Sequence, residues 1–270
     1  GESTHKQIKL MKLPIGKIKK IFISHWHGDH TLGLGGLVQT LSNTDNIEKI
    51  EIHGPKDSKI FVDHMLKSTI FESKIKIEVF EHSPKEKEVI TIYENSEIEI
   101  QCAKLSHSVP CLGYLYKIKD KLNVDLDKLK EIAPELEKSP LLSTLKMGLP
   151  IEFNKKKIKP EDVTYIKEGK SVAFIFDTRP CQGINLLAKN TNYLVIEATH
   201  LFAKHSEKAE ETDHMTAKES AELALENNVD TLIITHFSQR YKDIKPLEDE
   251  AKEIFEKTIT TQDLMTIKLK

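Results

Sequence analysis

The chain has 270 residues, a formal net charge of −2 at pH 7, and 39% hydrophobic against 30% charged residues. This is an ordinary globular composition, sufficient for one large domain or two small ones, and any polyanionic partner must be met by a local basic patch. No run approaches the roughly 20 consecutive apolar residues of a membrane span. The three cysteines, Cys102, Cys111 and Cys181, form no Cys-x-x-Cys pair. Their number and spacing exclude a disulfide scaffold and a thiolate zinc knuckle, and predict a cytoplasmic protein.

Strands and helices are predicted to alternate along the chain. Apolar, β-branched runs predict strands at 17–24, 50–53, 113–118, 171–176, 193–196 and 231–235. Helical spacing of apolar residues predicts helices at 32–41, 56–69, 216–226 and 246–257. Short alternating runs over 74–105 predict antiparallel strands, and residues 265–269 are predicted to close a sheet. The alternation of element types predicts a layered α/β fold.

The segment 117–159 differs from the rest of the chain in charge. It holds eleven lysines against seven acidic residues, a local net charge of +4 in a chain that is net acidic. Around Pro134, Pro140 and Pro150 it shows little strand pattern. Charge alone predicts a solvated insertion here.

The densest cluster of chemically active side chains is Ser24-His25-Trp26-His27-Gly28-Asp29-His30, directly after a predicted strand. Residues two apart in an extended chain point the same way, so His25 and His27 can bind one ion. Asp29 and His30 follow the small Gly28, where the chain can turn toward a second ion. Imidazole and carboxylate groups suit zinc, and also manganese or iron. The alternative, a histidine-rich surface loop, is disfavoured because four ligand-type side chains follow a buried strand.

Further ligands must come from elsewhere, because two open catalytic ions need about seven protein ligands, one of them shared. His107, Asp177 and His236 each follow a predicted strand. Functional side chains collect on loops at strand ends, where a rigid sheet holds them. Taken alone, each of the three would more often be a structural histidine or a capping aspartate, and their common position favours the ligand interpretation.

The His-x-His-x-Asp-His pattern resembles the signature of the metallo-β-lactamase superfamily. Further stretches resemble one family within it, RNase Z, the endonuclease that trims the 3′ trailer from precursor tRNA. In family order they are IFISHWHGDHTLGLGGL (21–37), IHGP (52–55), HSVPCLGY (107–114), FDTRPC (176–181), IEATH (196–200), HMTA (214–217) and THFSQRY (235–241). The first pattern alone indicates only the superfamily, whereas the other stretches are much more specific.

The resemblance implies a role for each matching residue. The expected metal ligands are His25, His27 and His107 for a first ion, Asp29, His30 and His236 for a second, and Asp177 as the bridge. Asp29 would also take the proton from the attacking water. His214 would donate a proton to the leaving 3′-oxygen, and Glu197 would support His214. Two Zn²⁺ per chain are expected, with Mn²⁺ or Fe²⁺ as alternatives.

Without the resemblance, Glu197 would be read as a surface acid after a strand, and His214 as a residue at a helix N-terminus. Cys111 and Cys181 are predicted to be small packing residues beside the motifs. The remaining histidines are predicted to be structural or surface residues: His5, His53, His64, His82, His200 and His205.

The resemblance also gives the lysine-rich segment a second interpretation. It occupies the place of the flexible arm by which RNase Z grips the tRNA elbow, where lysines supply salt-dependent affinity for phosphates. The family usually has Gly-Pro, a leucine and a basic stretch there. This chain has 139–142 as Ser-Pro-Leu-Leu and 146–148 as Lys-Met-Gly. Ser139, Pro140 and Lys146 are therefore the predicted substrate-binding residues.

The implied fold is a four-layer αβ/βα sandwich in which one catalytic domain, 1–270, carries 117–159 as an inserted arm. In the family, strands precede the position of Gly1, so we expect an N-terminally truncated chain that is less stable than a restored one. The expected function is zinc-dependent hydrolysis of precursor tRNA to leave a 3′-hydroxyl, by a homodimer. Two alternatives remain: another phosphodiesterase or arylsulfatase of this fold that acts on small molecules, or an inactive RNA-binding fragment.

Overall fold

The computed structural model describes residues 1–269, which form two compact units. The first unit comprises 1–92, 100–115 and the described residues from Val172 onward, and the second comprises 93–99 and 116–171. Among the described residues, no helix is long and apolar enough to cross a lipid bilayer.

Strands and helices alternate, as the sequence predicts. The strands are β1 Lys20–Phe22, β2 Lys49–Gly54, β3 Lys76–Glu81, β4 Val89–Glu94, β5 Ile98–Lys104, β6 Leu112–Ile118, β7 Lys121–Val124, β8 Ile151–Phe153, β9 Lys156–Ile158, β10 Thr164–Lys167, β11 Ser171–Ile175, β12 Tyr193–Glu197, β13 Thr231–Thr235 and β14 Thr258–Thr260. The helices are α1 Thr4–Leu10, α2 Gly28–Thr31, α3 Leu34–Ser42, α4 Ser58–Lys67, α5 Leu126–Ile132, α6 Leu142–Lys146, α7 Pro160–Val163, α8 Gln182–Ala188, α9 Phe202–Glu211, α10 Ala217–Glu226 and α11 Lys245–Lys252. Short 3₁₀ turns lie at Ile15–Lys17 and Pro134–Leu136.

A three-stranded sheet in the order β1-β2-β3 is parallel throughout. The prediction of antiparallel pairing over 74–105 is therefore wrong for β3. The physical reason is the connection: α4 carries the chain back across the sheet, so β3 starts beside the start of β2. The core of this layer is a cluster of buried aliphatic side chains from α3, β2 and α4, including Leu41, Ile50 and Val62.

A seven-stranded sheet has the order β14-β13-β12-β11-β6-β5-β4. Strands β11 to β14 are parallel neighbours, and the strands β11, β12 and β13 are almost entirely apolar on their buried faces. Its edge is β14, so the prediction that 265–269 closes the sheet is wrong. The chain reaches that edge directly after α11, and Ile267 packs beside Val172, Tyr193 and Ile233 without forming a strand.

Contacts between the two large sheets fix the end of β1. The hydroxyl of Tyr114 donates a hydrogen bond to the carbonyl of Ile23 at 2.7 Å, and the Leu112 amide donates to the carbonyl of Ser24 at 2.9 Å. Phe22 packs against a buried cluster that contains Cys102, Leu112 and Tyr114. The backbone that follows β1 is therefore hydrogen-bonded to β6.

The predicted arm, 117–159, lies within the second unit. There β7 pairs antiparallel with β10, and β8 pairs antiparallel with β9. Seven buried residues form its own core: Leu129, Ala133, Leu136, Leu145, Ile151, Ile158 and Val163. The lysine-rich stretch is thus folded around an apolar cluster. The composition of the stretch, dominated by charged residues, does not predict this cluster.

Candidate active site

The histidine-rich stretch leaves β1 in an extended conformation and then enters α2. His27 has φ −68° and ψ 151°, and Gly28 begins the four-residue helix α2. The extended stretch places His25 and His27 near one another, with ring centroids 4.7 Å apart. Asp29 and His30 lie in the turn of α2. The change from strand to helix at Gly28 thus separates the two pairs, as predicted.

His25, His27, His107 and Asp177 form a first group, in which one ligand-type atom from each residue lies within 4.8 Å of all the others. His25 is fully buried, and burial lowers its pKa to about 3, so its ring is neutral and carries a lone pair. Nδ1 of His107 lies 3.1 Å from the carbonyl oxygen of Asp213. A carbonyl only accepts, so Nδ1 carries the proton and Nε2, 3.3 Å from Nδ1 of His27, carries the lone pair.

Asp29, His30, Asp177 and His236 form a second group under the same distance limit. Nε2 of His30 and Nε2 of His236 are 3.2 Å apart and lie 3.3 and 3.2 Å from the same oxygen of Asp177. Asp29 is the exposed member, and its Oδ2 lies 3.4 Å from Nε2 of His30. The structure thus brings together all seven predicted metal ligands, and their role as ligands stays a prediction.

Asp177 belongs to both groups because it stands between them. Its Oδ2 lies 3.5 Å from Nε2 of His25, while Oδ1 faces His30 and His236. Burial raises the pKa of this carboxyl, but the nearby His30, His236 and His25 outweigh burial and hold the pKa well below its ordinary value. The backbone of Asp177 is left-handed, with φ 46°, and that of His236 has φ 60°, an uncommon conformation that is concentrated at functional sites.

The donor set fits divalent metal ions. Nε2 of His25 and Oδ1 of Asp177 are buried and have no hydrogen-bond partner within the described part of the chain. Buried polar atoms are almost always paired, so two such atoms within one cluster of imidazoles and carboxylates are explained by ions that they would ligate. The residues present can therefore hold two metal ions that share Asp177.

Glu197 and His214, predicted as the acid and the proton donor, lie beside the second group. Nδ1 of His214 lies 3.1 Å from Oε2 of Glu197, and the two rings of His214 and His236 are stacked at 5.4 Å. Burial lowers the pKa of His214, but the hydrogen bond and the charge of Glu197 outweigh it and raise the pKa overall. His214 lies two residues before Thr216, the N-cap of α10, and Glu197 ends β12, so a strand end and a helix start bring them together.

Thr199 connects this pair to the predicted metal ligands, a role that the sequence analysis missed. Its hydroxyl donates to Oε2 of Glu197 at 2.5 Å and lies 3.0 Å from Nδ1 of His236. Since the single hydroxyl proton goes to the carboxylate, the hydroxyl oxygen accepts from Nδ1 of His236. Nε2 of His236 is then left with the lone pair that a metal ligand requires. Thr199 belongs to the IEATH stretch, so its position in a family motif is the sequence signal for this role.

Arg179 was also missed. Its guanidinium donates to both oxygens of Glu219, at 2.7 and 3.2 Å, and to the carbonyl oxygen of His214 at 2.6 Å. Glu219 in turn accepts from the backbone and hydroxyl of Thr216, which caps α10. This arrangement fixes the backbone that carries His214, since a bidentate arginine–carboxylate pair is directional as well as charged.

The predicted substrate-binding residues lie in the second unit, whereas the predicted metal ligands, Glu197 and His214 all lie in the first. Ser139 accepts a hydrogen bond from the Leu141 amide, and Pro140 precedes α6. Lys146 ends α6 and is exposed. Cys111 is buried in the main core and Cys181 packs against the same cluster, so the predicted packing role is confirmed for both, although Cys181 is only partly buried.

Comparisons with known proteins agree with this geometry. The model of the metallo-β-lactamase superfamily matches residues 1–100. Ribonuclease Z of Sulfurisphaera tokodaii is 32% identical over 264 residues, which cover 98% of this chain and 85% of the relative. Ribonuclease Z of Nitrosopumilus maritimus is 36% identical over 269 residues, which cover 98% and 87%. The chain belongs to the ribonuclease Z family.

A solved structure supports the fold of this ribonuclease Z family member. The human tRNase Z, short form, superposes with a TM-score of 0.69 at 22% identity, over 99% of this chain and 85% of the human one. The predicted family and the predicted metallo-β-lactamase fold are both confirmed.

Proposed function

We propose that this ribonuclease Z family member is a zinc-dependent endoribonuclease that hydrolyses precursor tRNA at the start of its 3′ trailer and leaves a 3′-hydroxyl. The observation that carries the proposal is the convergence of two ligand groups, joined by Asp177, beside the Glu197–His214 pair. Family membership over nearly the whole chain supports the same conclusion. His25, His27 and His107 would hold one ion, and Asp29, His30 and His236 the other.

Bound at these residues, two zinc ions would supply Lewis acidity, which lowers the pKa of water and stabilises negative charge on the phosphoryl group. Asp29 accepts the proton of the attacking water. It suits this role because its side chain is about two-thirds exposed, so water reaches it, while Oδ2 stays within 3.7 Å of Nε2 of His236. Asp177 is buried and cannot serve in the same way.

His214 donates a proton to the leaving 3′-oxygen. Its Nδ1 is engaged by Glu197, so the proton that it donates is the one on Nε2. Glu197 favours the charged imidazolium and fixes the ring, as a carboxylate does for a general acid. Protonation of that oxygen is the step that yields the 3′-hydroxyl end.

The second unit contributes binding to the tRNA body in this proposal. Its segment 117–159 carries a net charge of +4, and Lys146 at the end of α6 is exposed. Lysine contacts to phosphates give affinity that falls with salt. Ser139 and Pro140 are proposed to belong to the same RNA-binding surface, and the enzyme is proposed to act as a homodimer.

The test is cleavage of a precursor-tRNA transcript with a 3′ trailer by the metal-loaded protein, with the product ends analysed for a 3′-hydroxyl. A small diester, bis(p-nitrophenyl) phosphate, is run in parallel. Cleavage of the diester without cleavage of the transcript would favour the small-molecule phosphodiesterase instead. For the arm, Lys146→Gln should raise KM for the transcript, and the exposed Lys189→Gln in the first unit is the matched control.

A further inference from the structure

A cavity of about 450 Å³ lies beside His107, and the chemistry described above does not use it. It is formed at the ends of strands: Pro55 and Lys56 follow β2, His82 to Pro84 follow β3, and Lys104 ends β5. Because β2 and β3 are parallel, the loops after them lie on the same side, and the His82 amide donates to the Gly54 carbonyl at 2.9 Å. The stretch 107–112 also lines the cavity, and it begins with His107 of the first ligand group.

The walls and the rim of the cavity differ in chemistry. Pro55, Pro84 and Val109 give apolar walls, whereas Lys56 and Lys104 are exposed at the rim. Apolar walls with a few polar groups are typical of sites that hold a small organic group in a fixed orientation. Two lysines at the rim favour an occupant that carries anionic groups on either side.

His82 is the polar group with a fixed orientation. Its Nε2 lies 3.0 Å from Nδ1 of His53, and the planes of the two rings are nearly parallel, with an interplanar angle of 6°. His53 is itself buried between Phe22 and Phe80, and its Nε2 lies 3.5 Å from Oε2 of Glu51. Nε2 of His53 makes no hydrogen bond within the described part of the chain, but the negative charge of Glu51 favours a proton on it, so Nδ1 of His53 accepts from Nε2–H of His82. Nδ1 of His82 is then a hydrogen-bond acceptor.

We propose that this cavity binds the nucleobase of a nucleotide next to the scissile phosphate, an inference that rests on the proposed function. The base lies between the apolar walls, with its exocyclic amino group donating to Nδ1 of His82, and the phosphates of the strand pass Lys56 and Lys104. Single-stranded RNA is recognised in this way, by bases that leave the stack and present their edges. Because His107 lines the cavity, the cavity would be a subsite for a nucleotide next to the scissile phosphate.

The test combines enzyme variants with modified substrates. Val109→Trp fills the cavity, and Leu225→Trp, at an exposed position of α10, is the control. Each is assayed on the precursor transcript and on transcripts with an abasic nucleotide directly before or directly after the cut. Wild-type kcat/KM should fall about tenfold for the abasic nucleotide at one of the two positions, as expected for one lost base contact. Val109→Trp should lower kcat/KM on the natural transcript by a similar factor and lose nothing further on that abasic transcript.

The subsite would be overturned if the loss in kcat/KM from Val109→Trp multiplied with the loss from the abasic nucleotide at both positions. It would also be overturned if Val109→Trp cleaved the natural transcript as fast as wild type. A melting curve and the metal content show that the variant is folded. A wild-type protein that cleaves no transcript would overturn the proposed function and the subsite together, so the two failures are distinguishable. As a second measurement, His82→Phe should abolish the preference for adenine over unsubstituted purine at the sensitive position, and a retained preference would overturn the role of His82.

Discussion

Oε2 of the fully buried Glu197 lies 3.1 Å from Nδ1 of His214. The same carboxylate accepts hydrogen bonds from the backbone amides of Thr178 and Met215 and from the hydroxyl of Thr199. It is therefore held rigidly from four directions, and His214 is the one partner that can change its protonation in a reaction. The pair has the geometry of a general acid and its supporting carboxylate.

Replacing Glu197 should change the pH dependence of turnover. Glu197 raises the pKa of His214, so in Glu197→Gln the imidazolium loses its proton at a lower pH. Because the proposed donor works only when protonated, the alkaline fall of kcat should move to lower pH. The measurement is kcat for transcript cleavage between about pH 5 and pH 9, a range that includes the titration of histidine. Glu222→Gln on the outer face of α10 is the control, and an unmoved alkaline limb in Glu197→Gln would contradict the assignment.

His214→Ala should keep its metal ions and lose turnover. The substitution removes a proton donor and leaves the seven predicted ligands in place, so kcat should fall by about 10² to 10⁴. Metal content is measured by elemental analysis alongside single-turnover cleavage. A variant that holds half as much metal as wild type would make His214 a ligand instead.

Asp177→Ala should weaken both metal sites at once. Asp177 is the residue shared by the two ligand groups, and its carboxylate faces His25 on one side and His30 and His236 on the other. Its loss leaves three buried or half-buried imidazoles without a bridging anion, so zinc content and activity should fall together. Asp63→Ala on the exposed face of α4 is the control. Two tightly bound ions in Asp177→Ala would exclude the bridging role.

Arg179→Lys should slow the reaction although it conserves the charge. A single ammonium group cannot reproduce the paired bonds to Glu219 together with the bond to the His214 carbonyl. The turn that carries His214 would lose its fixed position, and we expect kcat to fall about tenfold, because small displacements of a positioned group are costly. The kcat of Arg179→Ala should be lower still, because that variant keeps neither the charge nor the hydrogen bonds. If Arg179→Lys reacts at the wild-type rate, the hydrogen bonds of Arg179 have no part in positioning His214.

The metal-ligand candidates were predictable because their signals are local. His25 and His27 follow a strand at alternate positions, and His107, Asp177 and His236 each follow a strand that sequence periodicity identifies. Thr199 lies only two residues from Glu197, but its second partner, Nδ1 of His236, is 37 positions away, so its linking role could not be assigned in this way. Both partners of Arg179 are distant in sequence. Arg179 meets the His214 carbonyl across 35 positions and Glu219 across 40. Which residues meet over such sequence distances is decided by tertiary packing, and a local residue pattern carries no information on that packing.

The difference between local and long-range signals also explains the errors in the predicted fold. The strand content of 74–105 was predictable from alternation, but alternation carries no information on the direction of a partner strand. The direction of β3 follows from the crossover through α4. In the second unit, the apolar core that includes Leu129, Leu145 and Ile158 was not predicted, because its members are spread over several short elements with lysines between them.

The ion pairs of Glu51 should make the stability of the three-stranded sheet depend on pH. Glu51 of β2 pairs with Lys20 and, at 2.9 Å, with Lys49. Burial raises the pKa of this carboxyl, but the two lysines outweigh burial and lower the pKa to about 2. Because the folded pKa lies below the unfolded value, the ion pairs stabilise the native state above about pH 4.5, and this contribution is lost as the pH falls toward 2.

Glu51→Gln should therefore lower the free energy of unfolding by about 1–2 kcal/mol at neutral pH, a figure reduced from the full shift because solvent screens a partly exposed pair. The difference from wild type should shrink as the pH falls from about 4.5 toward 2, because Glu51 takes up a proton more readily in the unfolded chain than in the native state, where the ion pairs oppose it. Urea unfolding at several pH values measures it, and the exposed Glu48→Gln is the matched control on the preceding turn. A difference that stays constant over this range would mean that Glu51 stabilises the sheet by packing and not by its charge.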